Sequence, residues 1–298
     1  MRVFVTGATG FIGLAVVREL IGAGHQVLGL CRSSDKAHIL AATGAQVLRG
    51  STEDLECLRS GAERSDGVIH LAFNHDFSTF QSNCEHDRRV ILALGAALAG
   101  SARPLLVTSG TGMVRTVPGQ PATETGPTLS AAEFPRAASE EAAGSLAAVG
   151  ANVSVVRLPQ VHDTRRQGLV SYLIATAREK GLCAYLGEGQ NRWPVAHVLD
   201  VARLYRLALE HGRPGARYHA VAEEGIAVKE MVTVIAQHLK LPVRSLPAQE
   251  AEAYFGWMSL FAALDVPAAS QWTRRELDWQ PTGPGMMADL QHLDLSGP

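Results

Sequence analysis

Cysteine is scarce in this chain and follows no pattern. The four cysteines include no CxxC pair and have no regular spacing, so nothing indicates a disulfide framework or a metal site. We therefore expect a reduced, cytoplasmic protein without a metal ion. The first predicted strand begins at residue 2, which leaves no room for a signal peptide. The cysteines are Cys31, Cys57, Cys84 and Cys183.

Neither charge nor hydrophobicity is concentrated in one segment. The chain has 27 Lys and Arg against 29 Asp and Glu, for a net charge of −2, with no long run of either sign. Nucleic acid and membrane surfaces are therefore not expected partners. No apolar stretch is long enough to span a bilayer. A hydrophobic fraction of 46% over 298 residues predicts one large α/β domain, or a cofactor domain with a smaller lobe.

What the sequence does contain is a glycine-rich turn close to its start. Arg2–Val5 predicts a buried strand, and Leu14–Leu20 has helical spacing. Between them stand Gly7, Gly10 and Gly13, spaced GxxGxxG. Glycines at a strand-to-helix turn allow backbone amides to approach a pyrophosphate at the positive end of the helix. The motif predicts a nucleotide cofactor, and the alternative is a glycine turn with only a structural role.

Short apolar runs alternate with helical patterns along much of the chain. Repeated βα units imply a parallel sheet with helices on both faces, so we predict a doubly wound, Rossmann-like α/β fold. Ligands of such sheets bind at the carboxyl ends of the strands. The predicted strands are Val3–Val5, Val27–Leu30, Gln46–Leu48, Gly67–Leu71, Leu105–Thr108 and Val153–Arg157, and the predicted helices are Asp35–Thr43, Leu55–Ala62, Cys84–Leu98, Ala137–Val149, Leu169–Glu179, Val198–Glu210 and Val228–Leu239.

The rhythm changes after residue 162, where we predict a smaller substrate-binding lobe. The lobe contains an apolar patch formed by Tyr254–Met258, Leu260 and Phe261. Such a patch is either core or the lining of a site for a large apolar ligand. The predicted domains are residues 1–161 for dinucleotide binding, with 195–221 contributing, and residues 162–194 and 222–298 for the lobe.

The end of the second predicted strand indicates which dinucleotide is preferred. An NAD-binding βαβ unit has an acidic residue here for the ribose 2′-hydroxyl. This chain has Arg32, followed by Ser33 and Lys36. A guanidinium can hold a 2′-phosphate by paired hydrogen bonds. We therefore predict NADP(H), with an exposed basic turn as the alternative.

Five motifs resemble those of extended or atypical short-chain dehydrogenases/reductases. They occur in the order expected for that family over about the first two thirds of the chain. The resemblance implies an NAD(P)-dependent oxidoreductase with its cofactor across the carboxyl edge of the sheet. The motifs are Thr6–Gly13, Gly67–Ala72, Leu106–Thr111, Val156–Val161 and Val195–Ala202.

The resemblance also implies a set of cofactor-binding positions. The glycine turn would hold the pyrophosphate, residues after the fourth strand would border the ribose near the nicotinamide, and residues after the sixth would lie beside the carboxamide. Ser51 stands where the family usually has an acid that contacts adenine. The implied positions are Gly7, Thr9, Gly10, Phe11, Ile12, Gly13, Arg32, Ser33, Lys36, Ser51, Leu71, Ala72, Ser109, Pro159 and Val161.

Tyrosine is also scarce, and its scarcity bears on catalysis. The family normally uses a Tyr-xxx-Lys pair on one helix, but none of the five tyrosines is followed four residues later by lysine. Aligned on Ser139, the tyrosine position is Arg136 and the lysine position is Glu140. We expect these two side chains to form an ion pair one turn apart. Ser109 and Thr111 remain as catalytic candidates that would hydrogen-bond a substrate carbonyl, although both could merely cap the turn.

Other groups could take the role of the missing acid. His75 and His162 follow predicted strands, His197 begins a helix-forming stretch, and histidine can donate a proton near neutral pH. Tyr172 is a further candidate, and Phe77 lies in the same edge segment as His75. All five are candidate substrate-site residues. Alternatively, water or a hydroxyl of the substrate itself stabilises the developing negative charge.

Among family members, the chain is similar to polyketide ketoreductases of the angucyclinone type, which lack the tyrosine. The resemblance implies an NADPH-dependent ketoreductase acting on a large, aromatic ketone. A nucleotide-sugar epimerase or dehydratase and a non-catalytic NADP(H)-binding sensor are the alternatives. Apolar faces on two helices, Cys84–Leu98 and Ala137–Val149, fit either a homodimer or burial within one chain.

Overall fold

Strands and helices alternate along most of the chain. The computed structural model describes residues 1–296. The strands are β1 (Arg2–Thr6), β2 (Gln26–Cys31), β3 (Gln46–Arg49), β4 (Gly67–His70), β5 (Leu105–Gly110), β6 (Val153–Leu158), β7 (Gln160–His162), β8 (Cys183–Leu186), β9 (Arg192–His197), β10 (Arg217–His219), β11 (Glu223–Ala227) and β12 (Val243–Leu246).

The helices are of very different lengths, and the longest lie against the central sheet. They are α1 (Phe11–Gly22), α2 (Ser34–Ala41), α3 (Leu55–Glu63), α4 (Phe80–Ala97), α5 (Ala138–Ala148), α6 (Val170–Lys180), α7 (Val198–His211), α8 (Val228–Leu239), α9 (Ala251–Phe255), α10 (Ser259–Ala262), α11 (Gln271–Leu277) and α12 (Met286–Gln291).

The central sheet has seven strands in the order β10-β6-β5-β4-β1-β2-β3. Every neighbouring pair is parallel. Helices α1 and α7 pack together, and α4 packs on α3 and α5. The strand order reverses beside β1, which confirms the doubly wound Rossmann-like fold. Ligands bind this topology at the carboxyl ends of β1, β2, β4 and β5.

The predicted elements of the first domain are all present, with shifted ends. Helix α1 begins at Phe11, because Gly10 is extended and serves as its N-cap, rather than where the apolar spacing begins at Leu14. Helix α4 begins at Phe80 rather than at the predicted Cys84. The prediction began too late because polar residues near the start of the helix hide its apolar periodicity. Strand β10 was not predicted, and it extends the sheet beside β6.

A second lobe contains two small sheets that apolar periodicity did not predict. One has the order β11-β9-β7, with β7 parallel and β11 antiparallel to β9. The other is the parallel pair β8 and β12. The core of the second lobe packs α6, α8 and α12 around Trp193, Met231 and Met286. Strand β9 continues directly into α7, which packs on α1 beside the central sheet.

The structure also shows the state of the cysteines and the apolar character of the helices. The four cysteines are free, and three of them are buried. Within residues 1–296, no helix has the length and apolar character needed to cross a membrane.

Candidate functional site

The first part of the candidate site is the turn between β1 and α1. Gly7 has φ +67°, and a Cβ there would lie 2.7 Å from the Ala72 nitrogen. A Cβ on Gly13 would lie 2.0 Å from the Gly7 oxygen. Because only glycine fits both positions, helix α1 packs directly on the turn. No side chain caps the helix, so its first amides are open to an anion such as pyrophosphate. Thr9 and Gly10 complete this turn, and Phe11 and Ile12 begin α1.

The carboxyl end of β4 is fastened to the same turn. Thr6 Oγ1 accepts hydrogen bonds from the amides of Leu71 and Ala72, both at 3.2 Å. It also lies 2.7 Å from His70 Nδ1. Since two amides already occupy its lone pairs, the Thr6 hydroxyl donates to Nδ1. Leu71 and Ala72 are thereby held beside Gly7.

The end of β2 is basic. Arg32 and Lys36 are exposed there, and Arg49 approaches from β3. Its Nη2 donates to the Arg32 carbonyl at 3.0 Å and to Ser34 Oγ at 3.1 Å. The residue that follows β2 is therefore an arginine with a second arginine beside it. This arrangement fits an adenosine ribose that carries a phosphate.

Two hydroxyls flank this end of the sheet. Ser33 is the N-cap residue of α2, and its side chain makes no capping hydrogen bond. Ser51 Oγ accepts from the Glu53 amide at 3.3 Å, so it supports the turn that precedes α3. Both are partly exposed, and their contact with a cofactor stays a prediction.

The residue predicted at the family's tyrosine position, Arg136, is tightly held by its neighbours. Arg136 lies in a 3₁₀ turn before α5. Its Nη1 donates to Asp87 Oδ2 at 3.0 Å and also to Ser139 Oγ. Its Nη2 donates to the Thr108 carbonyl at 3.0 Å, and its guanidinium lies 4.1 Å from the centre of the Phe73 ring. The guanidinium is thus fixed between the ends of β4 and β5.

Asp87 on α4 is the anion that holds this arrangement together. It is 4% exposed, and its Oδ1 lies 2.9 Å from His70 Nε2. Because Thr6 donates to the other ring nitrogen, His70 donates through Nε2–H to Asp87. Burial alone would raise the pKa of Asp87, but Arg136 and His70 lower it to about 2. Asp87 is therefore a carboxylate throughout the physiological range of pH.

The prediction of an ion pair between Arg136 and Glu140 is wrong. Glu140 is paired instead with Arg157 of β6, whose Nη2 lies 2.7 Å from Glu140 Oε2. Both side chains are buried, at 0% and 1% exposure. Burial raises the pKa of Glu140, but the hydrogen bond and charge of Arg157 outweigh it and lower the pKa. The i,i+4 spacing was overridden because each side chain has a closer partner on another element.

The two hydroxyls after β5 are both buried. Ser109 is 4% exposed, and its Oγ has no hydrogen-bond partner within the part of the chain that the structure describes. Thr111 is also 4% exposed, and its Oγ1 donates to the Leu158 carbonyl at 3.4 Å. Their contact with a substrate carbonyl stays a prediction.

Aromatic side chains from both lobes meet above this edge of the sheet. Phe77 stacks on Trp257 with ring centres 4.2 Å apart, and Tyr172 meets Trp257 edge-on at 5.0 Å. Phe77 also contacts Phe80 and Phe261. We call this set the aromatic wall. It comprises Phe73, Phe77, Phe80, Phe134, Tyr172, Trp257 and Phe261.

The apolar patch predicted in the second lobe divides into core and wall. Phe255 and Met258 are buried in the lobe's core, against which Tyr254 packs. Trp257 is 45% exposed and belongs to the wall with Phe261. The core interpretation therefore applies to Phe255 and Met258, whereas the lining of a ligand site stays a prediction for Trp257 and Phe261.

The histidine candidates lie in different surroundings. His75 is exposed and packs edge-on against Phe73; crowding by its neighbours lowers its pKa, and the charge of Arg136 lowers it further. His197 is the N-cap of α7, and its Nδ1 accepts from the Leu199 amide at 3.3 Å. It lines a groove of about 1090 Å³ that also contacts Thr9.

The segment after β6 is mostly buried. Pro159 joins β6 to β7 and is partly exposed, whereas Val161 lies in the core. His162 is fully buried, and its Nδ1 lies 2.7 Å from Asp289 Oδ2. Burial lowers the pKa of His162 although Asp289 acts to raise it. This placement favours a structural role for His162.

One residue of this edge, Asp87, was not among the sequence candidates. Asp87 shares a helix face with Val90, Ile91 and Leu94, and a charged side chain on that apolar face was the available signal. Trp257 and Phe261 belong to the predicted apolar patch, but their contact with Phe77 was not predicted, because Phe77 lies far away in the sequence.

A glycine turn at a helix N-terminus and a ligand edge at the switch point of a parallel sheet define a dinucleotide-binding protein. The chain belongs to the NAD dependent epimerase/dehydratase family, an extended short-chain dehydrogenase/reductase family, whose model matches residues 3–221. It is 42% identical to an uncharacterised protein of Saccharomyces cerevisiae, over 98% of both chains. It is 26% identical to 4-hydroxy-2-methyl-3-oxo-4-farnesyl-3,4-dihydroquinoline-1-oxide ketoreductase of Stigmatella aurantiaca, over 90% of this chain and 84% of that protein.

Solved structures share the fold. A dTDP-glucose 4,6-dehydratase from Streptomyces venezuelae with NAD bound matches with a TM-score of 0.79 at 19% identity, over 98% of this chain and 95% of that one. The UDP-glucose 4-epimerase of Thermus thermophilus in complex with NAD matches with a TM-score of 0.77 at 20% identity, over 98% of both chains.

Proposed function

We propose that this protein is an NADPH-dependent ketoreductase that acts on a bulky aromatic carbonyl compound of the polyketide type. The observation that carries the proposal is the aromatic wall. It stands over the sheet edge at which a nicotinamide would meet a substrate, and Arg136, the residue predicted at the family's tyrosine position, lies at the same edge. Flat, apolar substrates suit such a wall.

The phosphate of NADPH is the basis for the cofactor preference. Arg32 and Arg49 stand at the end of β2 with Ser33 and Lys36, where an NAD-binding protein has an acid. The solved relatives named above contain NAD, but their identities to this chain are near one fifth. The basic end of β2 is this chain's own feature, and it favours the phosphorylated cofactor.

We infer the direction of the reaction from the predicted absence of the family's Tyr-xxx-Lys pair. A nucleotide-sugar epimerase or dehydratase begins by oxidising an alcohol, which requires a group that accepts its proton. The guanidinium of Arg136 has no acceptor atom, and Glu140 is committed to Arg157. Reduction of a carbonyl needs only a donor or a positive charge at the oxygen. A further relative that is named as a reductase of a 3-oxo compound supports this direction. It is the 2-alkyl-3-oxoalkanoate reductase of Stenotrophomonas maltophilia, 31% identical over 72% of this chain and 67% of that protein.

We assign the two lobes different roles in this proposal. Residues 1–161 with 195–221 bind the cofactor, and residues 162–194 and 222–298 cover the substrate. Tyr172 and Phe77 belong to the substrate surface, with His75 beside them. Ser109 and Thr111 would hydrogen-bond the substrate carbonyl, and Ser109 would also border the cofactor.

Cofactor titration and turnover test the proposal together. We expect NADPH to bind at least about tenfold more tightly than NADH, and Arg32→Asp to remove most of this difference. With NADPH, the bicyclic ketone 2-tetralone should be reduced faster than cyclohexanone. Equal affinities for the two cofactors would contradict the NADP(H) assignment. Tight NADPH binding without turnover of any carbonyl in a broad panel would support the alternative of a sensor.

A further inference from the structure

We infer that Arg136 is the group that binds the substrate's carbonyl oxygen and stabilises the alkoxide formed during reduction. The inference rests on the proposed function and deepens it, because it assigns the role that the family gives to a tyrosine. Asp87 is the positioning residue that aims the guanidinium.

The hydrogen bonds of Arg136 leave part of its donor capacity unused. A guanidinium has five N–H groups. Both Nη1–H groups are directed at Asp87 and Ser139, and one Nη2–H is directed at the Thr108 carbonyl. Within residues 1–296 the structure gives the Nε–H and the second Nη2–H no acceptor. These two groups are available to a ligand oxygen.

The guanidinium is also in the right place. Thr108 lies near the carboxyl end of β5, and Phe73 follows the carboxyl end of β4. Arg136 contacts both and keeps 14% of its side chain exposed. Phe73 is in turn part of the aromatic wall. A ring system lying on the wall would therefore carry its carbonyl towards the guanidinium.

The pairing with Asp87 makes the arginine a rigid donor rather than a mobile one. The Asp87 side chain is 4% exposed and is held by His70, which is held by Thr6. This series of hydrogen bonds begins at the glycine turn and ends at Arg136. Donors that are fixed before the reaction stabilise a developing negative charge without the cost of reorienting water.

The chemical step balances without a protein acid. A bound reduced nicotinamide would supply hydride to the carbonyl carbon, and the C=O π pair would move to the oxygen. The resulting alkoxide is held by the charge and N–H groups of Arg136. It then takes a proton from water, which leaves hydroxide to the buffer, and Arg136 keeps all its protons throughout.

Two substitutions and a control test this role. We compare Arg136→Met and Arg136→Lys with Arg244→Met, which removes an exposed arginine paired with Glu250 in the second lobe. With NADPH and 2-tetralone, we expect Arg136→Met to lower kcat/KM by about 100-fold or more, which is typical of losing one oxyanion donor. Arg136→Lys should fall between, and Arg244→Met should resemble the unmodified protein. NADPH titration verifies that each variant still binds cofactor.

A binding measurement makes the test independent of turnover. In the presence of NADP⁺, the aromatic carboxylate 2-naphthoate mimics an anionic oxygen on a flat ring system. We expect calorimetry to show binding that weakens by at least about tenfold in Arg136→Met and is unchanged in Arg244→Met. Unchanged 2-naphthoate affinity in Arg136→Met would overturn the inference.

Failure of the inference differs from failure of the proposed function. If 2-tetralone is reduced and Arg136→Met retains its kcat/KM, the reductase assignment stands and the role of Arg136 is wrong. If no carbonyl is reduced, the proposed function fails, whereas weaker 2-naphthoate binding in Arg136→Met still supports an oxyanion site. A limb in the pH profile of kcat that disappears in His75→Gln would assign the acid to His75 and overturn the inference.

Discussion

At the scale of single residues, the glycine turn is the most constrained part of the molecule. Gly13 has no space for a side chain, because a Cβ would meet the Gly7 oxygen at 2.0 Å. Gly22, at the end of the same helix, has open space instead, since a Cβ there would have nothing within 4 Å. The two positions form a matched pair in one helix.

We predict that Gly13→Ala lowers the free energy of unfolding by about 2 kcal/mol or more, because backbone must shift to admit the methyl group. NADPH affinity should fall with it. Gly22→Ala should leave affinity unchanged and be neutral or slightly stabilising, since alanine is the better helix former. Urea unfolding and NADPH titration measure both effects. Equal stability of the two variants would show that the turn adapts.

Asp87 and Arg136 provide a second prediction at this scale. Removing one member of a buried ion pair leaves the other uncompensated, so Asp87→Asn should cost about 3–5 kcal/mol in the free energy of unfolding. The double variant Asp87→Asn with Arg136→Met should recover part of that loss. A double variant whose destabilisation equals the sum of the single ones would show that the two groups do not interact.

The same carboxylate gives a dependence on pH. Its pKa is lowered in the folded protein from 3.8 to about 2. The stability it contributes is therefore fully present above the unfolded pKa and is lost as the pH falls through the folded one. Unfolding experiments between pH 5 and 2 should show this loss in the unmodified protein and a smaller one in Asp87→Asn. Parallel pH curves for the two proteins would contradict it.

At the scale of elements, the short helices α9 and α10 connect the second lobe to the sheet edge. Trp257 lies between them and stacks on Phe77, whereas Leu260 of α10 is 60% exposed and forms part of the same surface segment. The two side chains allow the wall to be tested without altering the lobe's core.

We predict that Trp257→Ala raises the KM for 2-tetralone by about tenfold. The substrate ring would lose its contact with the indole, and such an aromatic pair contributes about 1 kcal/mol beyond the energy of the area that it buries. The cost in stability should be small, since the side chain is 45% exposed. Leu260→Ala is the control and should change neither quantity. KM and the midpoint of thermal unfolding are measured for each. A KM in Trp257→Ala equal to that of the control would remove the wall from the substrate site.

Elements also show where sequence could and could not predict the site. The glycine turn was predictable because Gly7, Gly10 and Gly13 act within one strand-turn-helix unit. The pairing of Arg136 was not, because local spacing offered Glu140 while the fold supplied Asp87 from α4 and gave Glu140 to Arg157. Likewise, Phe77 meets Trp257 only through the packing of the two lobes.

At the scale of the whole molecule, the lobes are connected through α7. Strand β9 of the second lobe runs directly into this helix, which packs on α1 beside the central sheet. Asp200 in its first turn is 1% exposed and accepts hydrogen bonds from the amides of Thr282 and Gly283 at 2.9 and 2.8 Å. Trp279 Nε1 donates to its carbonyl at 2.9 Å. The C-terminal segment is thus tied to the helix that supports the cofactor domain.

From this connection we predict one cooperative unfolding transition that cofactor shifts as a whole. Saturation with NADPH at about 100 times its Kd adds about 2.7 kcal/mol to the stability of the form that binds it. The unfolding midpoints measured by tryptophan fluorescence and by far-UV circular dichroism should therefore rise together. Asp200→Ala leaves the amides of Thr282 and Gly283 without their acceptor, so it should lower the midpoint and separate the two probes. Two transitions in the unmodified protein, of which only one responds to NADPH, would show that the lobes unfold independently and that α7 does not couple them.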